Sequence, residues 1–192
     1  MTQVFDLEAN GLNPTKIHCM VVEDTVIETQ QQFEEWNNAN TEEVAGHNIV
    51  GYDFPVISRL WGSDILRDGL INWRDSLVMS RLSNPQREGG HSLEAWGQTL
   101  GLAKVEHEEW GQYTPEMLTR CKGDVALTKL VLARVEKELE GFSPESIELE
   151  HRVAAIIAEQ VRTGWLLDER LCWDLLATLK EKKLELEDEV HI

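Results

Sequence analysis

Two acidic residues, Asp6 and Glu8, stand near the start of the chain within the apolar stretch VFDLEA. Side chains two positions apart in a strand point to the same face of a sheet, so this spacing places both carboxylates together. Asp53 follows the segment HNIVGY, and Asp124 lies on the apolar side of a long predicted helix. A lone carboxylate among apolar side chains is costly to desolvate, so we expect a cation near Asp124.

The four carboxylates are suitable ligands for hard divalent cations. Magnesium and manganese prefer oxygen ligands and retain bound water, so aspartate and glutamate without histidine or cysteine fit them. Two such ions about 4 Å apart activate a water molecule and stabilise the leaving oxygen in phosphoryl transfer. The alternative is that the paired acids of the first strand form an ordinary solvated strand edge, which is a common arrangement.

These acids require a framework that brings distant segments together. VFDLEA and IHCMVVED predict two strands, which the turn-rich segment NGLNPT separates. Strands and helices then alternate up to about residue 140, a pattern typical of an α/β fold. The stretch from Thr114 to Gly141 predicts the helix that carries Asp124, with a threonine cap, a proline in the first turn and a terminating glycine.

The last fifty residues are predicted to be almost entirely helical. Ser143 and Gly164 have the residue types that begin and end a helix, and a highly charged helix follows them. The segment EGFSPES is therefore the expected boundary between a domain at residues 1–142 and a helical segment at residues 143–192.

Composition excludes several classes of protein. The net charge of −17, from 18 basic and 35 acidic residues, repels phosphate backbones unless metal ions or basic patches intervene. This charge argues against a module that only coats nucleic acid, but it is compatible with a metal-dependent nuclease. Three scattered cysteines without a C-x-x-C pair indicate neither a zinc site nor a disulfide framework, so we expect a reducing cytoplasm and no membrane association.

The order of the acidic motifs resembles a known family. The patterns D-x-E, N-x-x-x-Y-D and a helical Asp-Val are similar to the three exonuclease motifs of the DEDD superfamily of 3′–5′ exonucleases. The segments DLEANGL, HNIVGYDFPVI, RDSLVMSRL, HSLEAWGQTLG and RCKGDVALTKLVL look like the proofreading domain of phage-type family A DNA polymerases, in the same order. IELEHRVAAIIAEQVRTGWLLD resembles the segment that leads into the polymerase domain, so the resemblance covers nearly the whole chain.

The resemblance implies a ribonuclease H-like fold, with a mixed five-stranded sheet flanked by helices and a helical C-terminal segment. It also implies 3′–5′ exonuclease activity that depends on two divalent ions, Mg²⁺ or Mn²⁺. By the same resemblance, Asp6, Glu8 and Asp124 would hold the ion that binds the attacking water. Asp6 would bridge to a second ion that has Asp53 nearby.

The resemblance also suggests residues that bind the substrate. Asn48 and Tyr52 would support the second motif, and the backbone at Leu7 would lie near the terminal nucleotide. Leu12 and Phe54 are candidates for apolar contacts with bases, and core packing is the equal alternative for each apolar candidate.

One position departs from the family pattern. Many members have a tyrosine four positions before the last aspartate, where it orients the attacking water, and others have a histidine five positions before it. Here those positions are Arg120 and Thr119. Arg120 could hold the phosphate, since a guanidinium favours developing negative charge, or it could be a residue of the helix surface. Because the metal ligands are all present, we expect an active exonuclease.

The resemblance implies single-stranded DNA or a primer 3′ end as substrate and a polymerase domain or subunit as partner, in the bacterial host cytoplasm if the protein is phage-encoded. No counterpart of the polymerase carboxylates is found, so the chain is either a fragment of a polymerase or a separate subunit. Two alternatives stay open: an RNA 3′–5′ exonuclease of the same superfamily, and a non-catalytic domain that only scaffolds a polymerase.

Overall fold

A computed structural model describes residues 2–63, 72–102 and 109–190 of the chain. The chain divides into two compact units, residues 1–158 and residues 159–192. None of the described helices combines the length and the hydrophobicity that a membrane span needs.

The first unit is built on a mixed sheet, whose five described strands lie in the order β3-β2-β1-β4-β5. β1 and β2 are antiparallel, as are β2 and β3, whereas β4 runs parallel to both β1 and β5. The strand bounds are β1 Gln3–Ala9, β2 Ile17–Val22, β3 Thr25–Ile27, β4 Val44–Gly46 and β5 Trp73–Asp75. The predicted mixed five-stranded α/β fold is thereby confirmed.

Helices cover both faces of this sheet, and several of them begin at capping residues in the sequence. The described helices are α1 Gln30–Ala39, α2 Asp53–Trp61, α3 Ser76–Ser83, α4 Leu93–Leu100, α5 Pro115–Glu138, α6 Pro144–Thr163 and α7 Glu169–Val190. The Thr114 hydroxyl accepts the backbone N–H of Met117 at 3.2 Å, and the Ser92 hydroxyl accepts that of Ala95 at 3.1 Å. These caps begin α5 and α4 where the sequence predicts helices, whereas α5 ends at Glu138, before the predicted terminating Gly141.

The central strand β1 contributes to two cores, one on each face of the sheet. Phe5 and Leu7 belong to the core that also contains Phe54 of α2, whereas Val4 belongs to the core beneath α5. Asp6 and Glu8 alternate with Phe5 and Leu7, so they take the α5 face. Their cross-strand partners on β2, Val21 and Cys19, also lie in the core beneath α5.

Helix α5 packs its apolar stripe directly onto β1 and β2. Cys121, Val125 and Val131 are buried in this contact, and the Cys121 thiol donates to the backbone carbonyl of Asp6 at 3.4 Å. Asp124 lies one turn further along the same buried stripe. The packing of α5 therefore carries Asp124 to the edge of β1 at which the two strand acids stand.

The first half of α6 belongs to the first unit. His151 is buried there, and its ring is fixed at both nitrogens: Nδ1 donates to the Ile147 carbonyl at 2.7 Å, and Nε2 accepts the backbone N–H of Asp75 at 2.9 Å. The second unit contains the end of α6 and all of α7, and no residue of α7 is buried. The functional boundary that the sequence suggests after residue 142 stays a prediction.

Candidate metal centre

Three carboxylates from two elements converge at the end of β1. Ligand oxygens of Asp6, Glu8 and Asp124 all lie within 4.8 Å of one another. Glu8 and Asp124 are buried, and Asp6 is half-buried. The set consists only of oxygen donors, which is the ligand chemistry that Mg²⁺ and Mn²⁺ prefer.

Asp53, the first residue of α2, lines the same cavity as these three acids but lies outside their 4.8 Å group. The cavity has a volume of about 540 Å³. Asp53 is only 4% exposed, and its Oδ1 is a buried oxygen that has no hydrogen-bond partner within the described part of the chain. Burial raises the pKa of Asp53 well above its usual value, and the negative charges of Asp75 and Glu8 raise it further. A cation bound in the cavity would compensate this carboxylate, so the donor set fits a divalent metal.

The segment between β4 and α2 presents Asp53, and Asp75 holds that segment in place. The Asp75 carboxylate accepts the backbone N–H groups of Asn48 at 2.9 Å and of Val50 at 3.1 Å. Asn48 has a φ of +64°, a left-handed conformation in which asparagine is tolerated better than most residues. Burial raises the pKa of Asp75 despite these hydrogen bonds.

The predicted substrate-binding residues lie, with one exception, around this cavity. Leu7, Leu12, Asn48, Tyr52 and Arg120 all contribute to its lining. The Tyr52 hydroxyl donates to the Gly11 carbonyl at 2.7 Å and so ties the loop after β1 to the start of α2. Burial, followed by the negative charges of Asp53 and Glu8, raises the pKa of Tyr52 to about 12. Leu12 stands at the rim with 94% of its surface exposed.

Phe54 is the exception, because the structure places it in the core and not in the cavity. It is 1% exposed, and its ring centroid lies 5.9 Å from that of Phe5 and 5.8 Å from that of Trp73. The interpretation as a base contact is therefore replaced by the packing alternative. The sequence could not separate the two, because Phe54 immediately follows a cavity residue on the same helix.

Arg120 lies inside the acidic cluster and not on an exposed helix surface. Its Nε is 3.2 Å from Glu8 Oε1 and 3.9 Å from Asp124 Oδ2, and its side chain is 16% exposed. The guanidinium carbon also lies 5.2 Å from the ring centroid of Trp110. The residue at which the chain departs from the family pattern is thus in contact with two of the candidate metal ligands.

Further residues of the cavity were not predicted from the sequence, among them His47 and Trp110. The His18 Nε2 donates to the Trp110 carbonyl at 3.0 Å, a contact between residues 92 positions apart. The β1–β2 register shifts between Glu8 and Ala9, which face Cys19 and Ile17, so His18 is the extra residue of this irregularity. Neither residue type nor periodicity indicates such a contact.

Comparison with known sequences relates the chain to phage DNA polymerases. It is 28% identical to the DNA-directed DNA polymerase of Escherichia phage T7 in an alignment 251 positions long, which covers 95% of this chain and 36% of the polymerase. The DNA-directed DNA polymerase of Enterobacteria phage T3 is 27% identical, and the alignment again covers 95% of this chain and 36% of the polymerase. The chain thus spans about a third of the length of these relatives. No protein-family model matches the sequence.

Comparison of folds relates the chain to nucleases. NrnC of Brucella melitensis with bound Mg²⁺ superimposes with a TM-score of 0.65 at 16% identity, and the match covers 85% of this chain and 86% of NrnC. A structure described as the apo form of the nuclease gives a TM-score of 0.66 at 15% identity. The predicted resemblance is therefore confirmed: the chain is similar in sequence to phage DNA polymerases, and it shares its ribonuclease H-like fold with NrnC.

Proposed function

We propose that this chain is a metal-dependent 3′–5′ exonuclease that removes nucleotides from the 3′ end of single-stranded or frayed DNA. The observation that carries the proposal is the convergence of Asp6, Glu8 and Asp124 within 4.8 Å, with Asp53 in the same cavity. The similarity of the chain to phage DNA polymerases in sequence supports a proofreading role for the proposed nuclease.

The geometry of the donor set supports the following proposal for the metal ligands. Asp6, Glu8 and Asp124 would hold one ion, and Asp6 together with Asp53 would hold a second. Bound Mg²⁺ or Mn²⁺ supplies an activated water and offsets the charge that develops on the scissile phosphate. The buried Asp53 Oδ1 has no hydrogen-bond partner among the described residues, and this favours a second cation position, because a buried carboxylate oxygen is normally satisfied.

The residues around the acids would position the end of the DNA strand. The Tyr52 hydroxyl donates to the Gly11 carbonyl, and burial raises the pKa of Tyr52, which favours the protonated form that makes this bond. That bond holds the loop that carries Leu12 at the rim, where an exposed apolar side chain is available to a base. The backbone at Leu7 lies in the wall of the cavity, next to the acids.

Arg120 would contact the phosphate of the substrate. Its guanidinium lies in the same cavity as the acids, and planar guanidinium groups bind phosphate oxygens through two parallel hydrogen bonds. No tyrosine occupies this position, so the water-orienting role implied by the family pattern is not available to residue 120.

The net charge suggests that the chain has a partner. A charge of −17 repels DNA and weakens binding of the strand by this chain alone. We propose that a polymerase domain or subunit supplies the basic surface that holds the primer.

A digestion assay tests the proposal. A 5′-labelled single-stranded DNA and its RNA counterpart are incubated with the chain and Mg²⁺, and products are resolved at single-nucleotide resolution. We expect a ladder that shortens from the 3′ end of the DNA, and a loss of at least about 10²-fold in rate for Asp6→Asn combined with Glu8→Gln. Asp24→Asn, an exposed acid outside the cavity, is the matched control and should keep the native rate.

Two outcomes would overturn parts of this proposal. Equal digestion by the double variant and the native chain would remove the catalytic assignment. Faster digestion of RNA than of DNA would show that RNA is the preferred substrate, and the proposed catalytic site would stand.

A further inference from the structure

Arg120 is placed where a cation of the metal centre would act. Its Nε approaches Glu8 Oε1 at 3.2 Å and Asp124 Oδ2 at 3.9 Å, and Arg120 and Asp124 are one turn apart on α5. The Glu8 and Asp124 side chains are 7% and 8% exposed. Buried carboxylates need a counter-charge, and in this structure the guanidinium supplies it.

An aromatic residue also contacts the guanidinium of Arg120. The ring of Trp110 lies over it at 5.2 Å, within the range of a cation–π contact. Trp110 is in turn fixed through its carbonyl by the buried ring of His18 at 3.0 Å. The guanidinium is therefore in contact both with two carboxylates and with an aromatic ring.

We propose that Arg120 is the resident counter-cation of the metal-free centre and that a divalent ion must displace it from Glu8 and Asp124. This inference rests on the proposed function and deepens it. The guanidinium and a metal ion compete for the same carboxylate oxygens, and they repel each other at such short range. The need to displace Arg120 weakens the binding of the metal ion. Once displaced, the guanidinium is free to bind a substrate phosphate that enters the same cavity. Metal ions and a 3′-terminal phosphodiester then favour each other's binding.

Calorimetric titration with Mn²⁺ tests the competition directly, because it needs no catalysis. The full chain is stripped of metal with chelator, and the native protein is compared with Arg120→Met, Arg120→Gln and Arg120→Lys. The two neutral variants should bind Mn²⁺ more tightly by about fivefold or more, a typical size for coupled binding. Arg120→Lys keeps the positive charge and should remain close to the native affinity.

Arg134→Met is the matched control for these variants. Arg134 lies on the same helix and pairs with Glu138 at the same i, i+4 spacing, with Nε 2.9 Å from Oε1, but it does not line the cavity. Its loss should leave the Mn²⁺ affinity unchanged.

Thermal unfolding provides a second measurement. In chelator, Arg120→Met and Arg120→Gln should melt at a lower temperature than the native chain, because the buried acids have lost their counter-charge. Added Mn²⁺ should raise the melting temperature of these variants by more than it raises that of the native chain. Equal or weaker Mn²⁺ binding by the neutral variants, with equal thermal shifts, would overturn the inference about Arg120 alone. Absence of Mn²⁺ binding by every protein, native chain included, would overturn the metal centre and with it the proposed function.

Discussion

The carboxylate of Asp75 accepts the backbone N–H of Asn48 at 2.9 Å, and this bond links the end of β5 to the segment that presents Asp53. The other carboxylate oxygen accepts the N–H of Val50 at 3.1 Å. The backbone N–H of Asp75 itself donates to His151 of α6. Asp75 thus joins β5, the segment before α2, and α6, although it does not contribute to the lining of the cavity.

Replacement of Asp75 by asparagine should weaken both the fold and the site. An amide offers one acceptor oxygen in place of two, so at least one backbone N–H loses its buried partner. We expect a loss of about 1–3 kcal/mol in the free energy of unfolding, measured by urea denaturation. The rate of DNA hydrolysis should fall as well, because Asp53 is no longer held. Asp24→Asn, an exposed aspartate, should change the free energy of unfolding by less than about 0.5 kcal/mol. Native stability and native rate in Asp75→Asn would contradict this role.

Leu12 and Phe54 are both candidates for base contacts in the sequence, but their replacement should affect different properties, substrate binding for Leu12 and stability for Phe54. Leu12 is 94% exposed at the rim, so Leu12→Ala should leave stability unchanged and raise KM for an oligonucleotide by about fivefold, the equivalent of about 1 kcal/mol of apolar contact. Phe54 is 1% exposed, so Phe54→Ala should lower the free energy of unfolding by about 3–5 kcal/mol. Chemical denaturation and steady-state kinetics measure both effects. An unchanged KM in Leu12→Ala would remove Leu12 from the substrate site.

Two glycines should differ in the sign of their effect. An added Cβ at Gly123, within α5, meets no heavy atom within 4 Å, so Gly123→Ala should stabilise the chain by about 1 kcal/mol through higher helix propensity. At Gly46 the added Cβ would lie 2.9 Å from the Phe5 carbonyl and 2.3 Å from Ile49 Cγ2. Gly46→Ala should therefore destabilise the chain by about 1–3 kcal/mol. Thermal and urea unfolding of both variants check the pair, and a loss of stability in Gly123→Ala would show a close contact at that position.

The carboxylate of Glu138 should make stability depend on pH in acid. Burial alone would raise its pKa, but hydrogen bonds from Arg87, Arg134 and Ser83 lower the pKa to about 2, against an ordinary value of 4.5. A folded-state pKa below the unfolded value stabilises the protein above pH 4.5, and this contribution disappears as the pH falls toward 2. Glu138→Gln should therefore be less stable than the native chain at pH 7, and the difference should shrink between pH 4.5 and pH 2. Urea denaturation across this range tests it; a difference that stays constant would mean that the carboxylate charge contributes nothing.

The sequence predicts the elements of this fold better than the contacts between them. Thr114, Ser92 and Gly101 predict the ends of α4 and α5 because capping is local chemistry, and the structure shows those ends. The D-x-E spacing likewise predicts that Asp6 and Glu8 share a face, since side chains alternate along a strand.

The contacts that complete the site depend on packing between segments far apart in the chain. Asp75 holds a segment 25 residues before it, and His18 holds Trp110 across 92 residues. Each of these side chains has ordinary surroundings in the sequence, so no periodicity marks it. The sequence indicates that Arg120 departs from the family pattern, but the pairing of Arg120 with Glu8 follows only from the packing of α5 on β1.

Crystals of the native chain soaked in Mn²⁺ and measured at the manganese absorption edge test the central claim most directly. We expect two anomalous peaks about 4 Å apart, one bound by Asp6, Glu8 and Asp124 and the other by Asp6 and Asp53. A map without anomalous peaks in the cavity, with the four carboxylates turned away from one another, would contradict it.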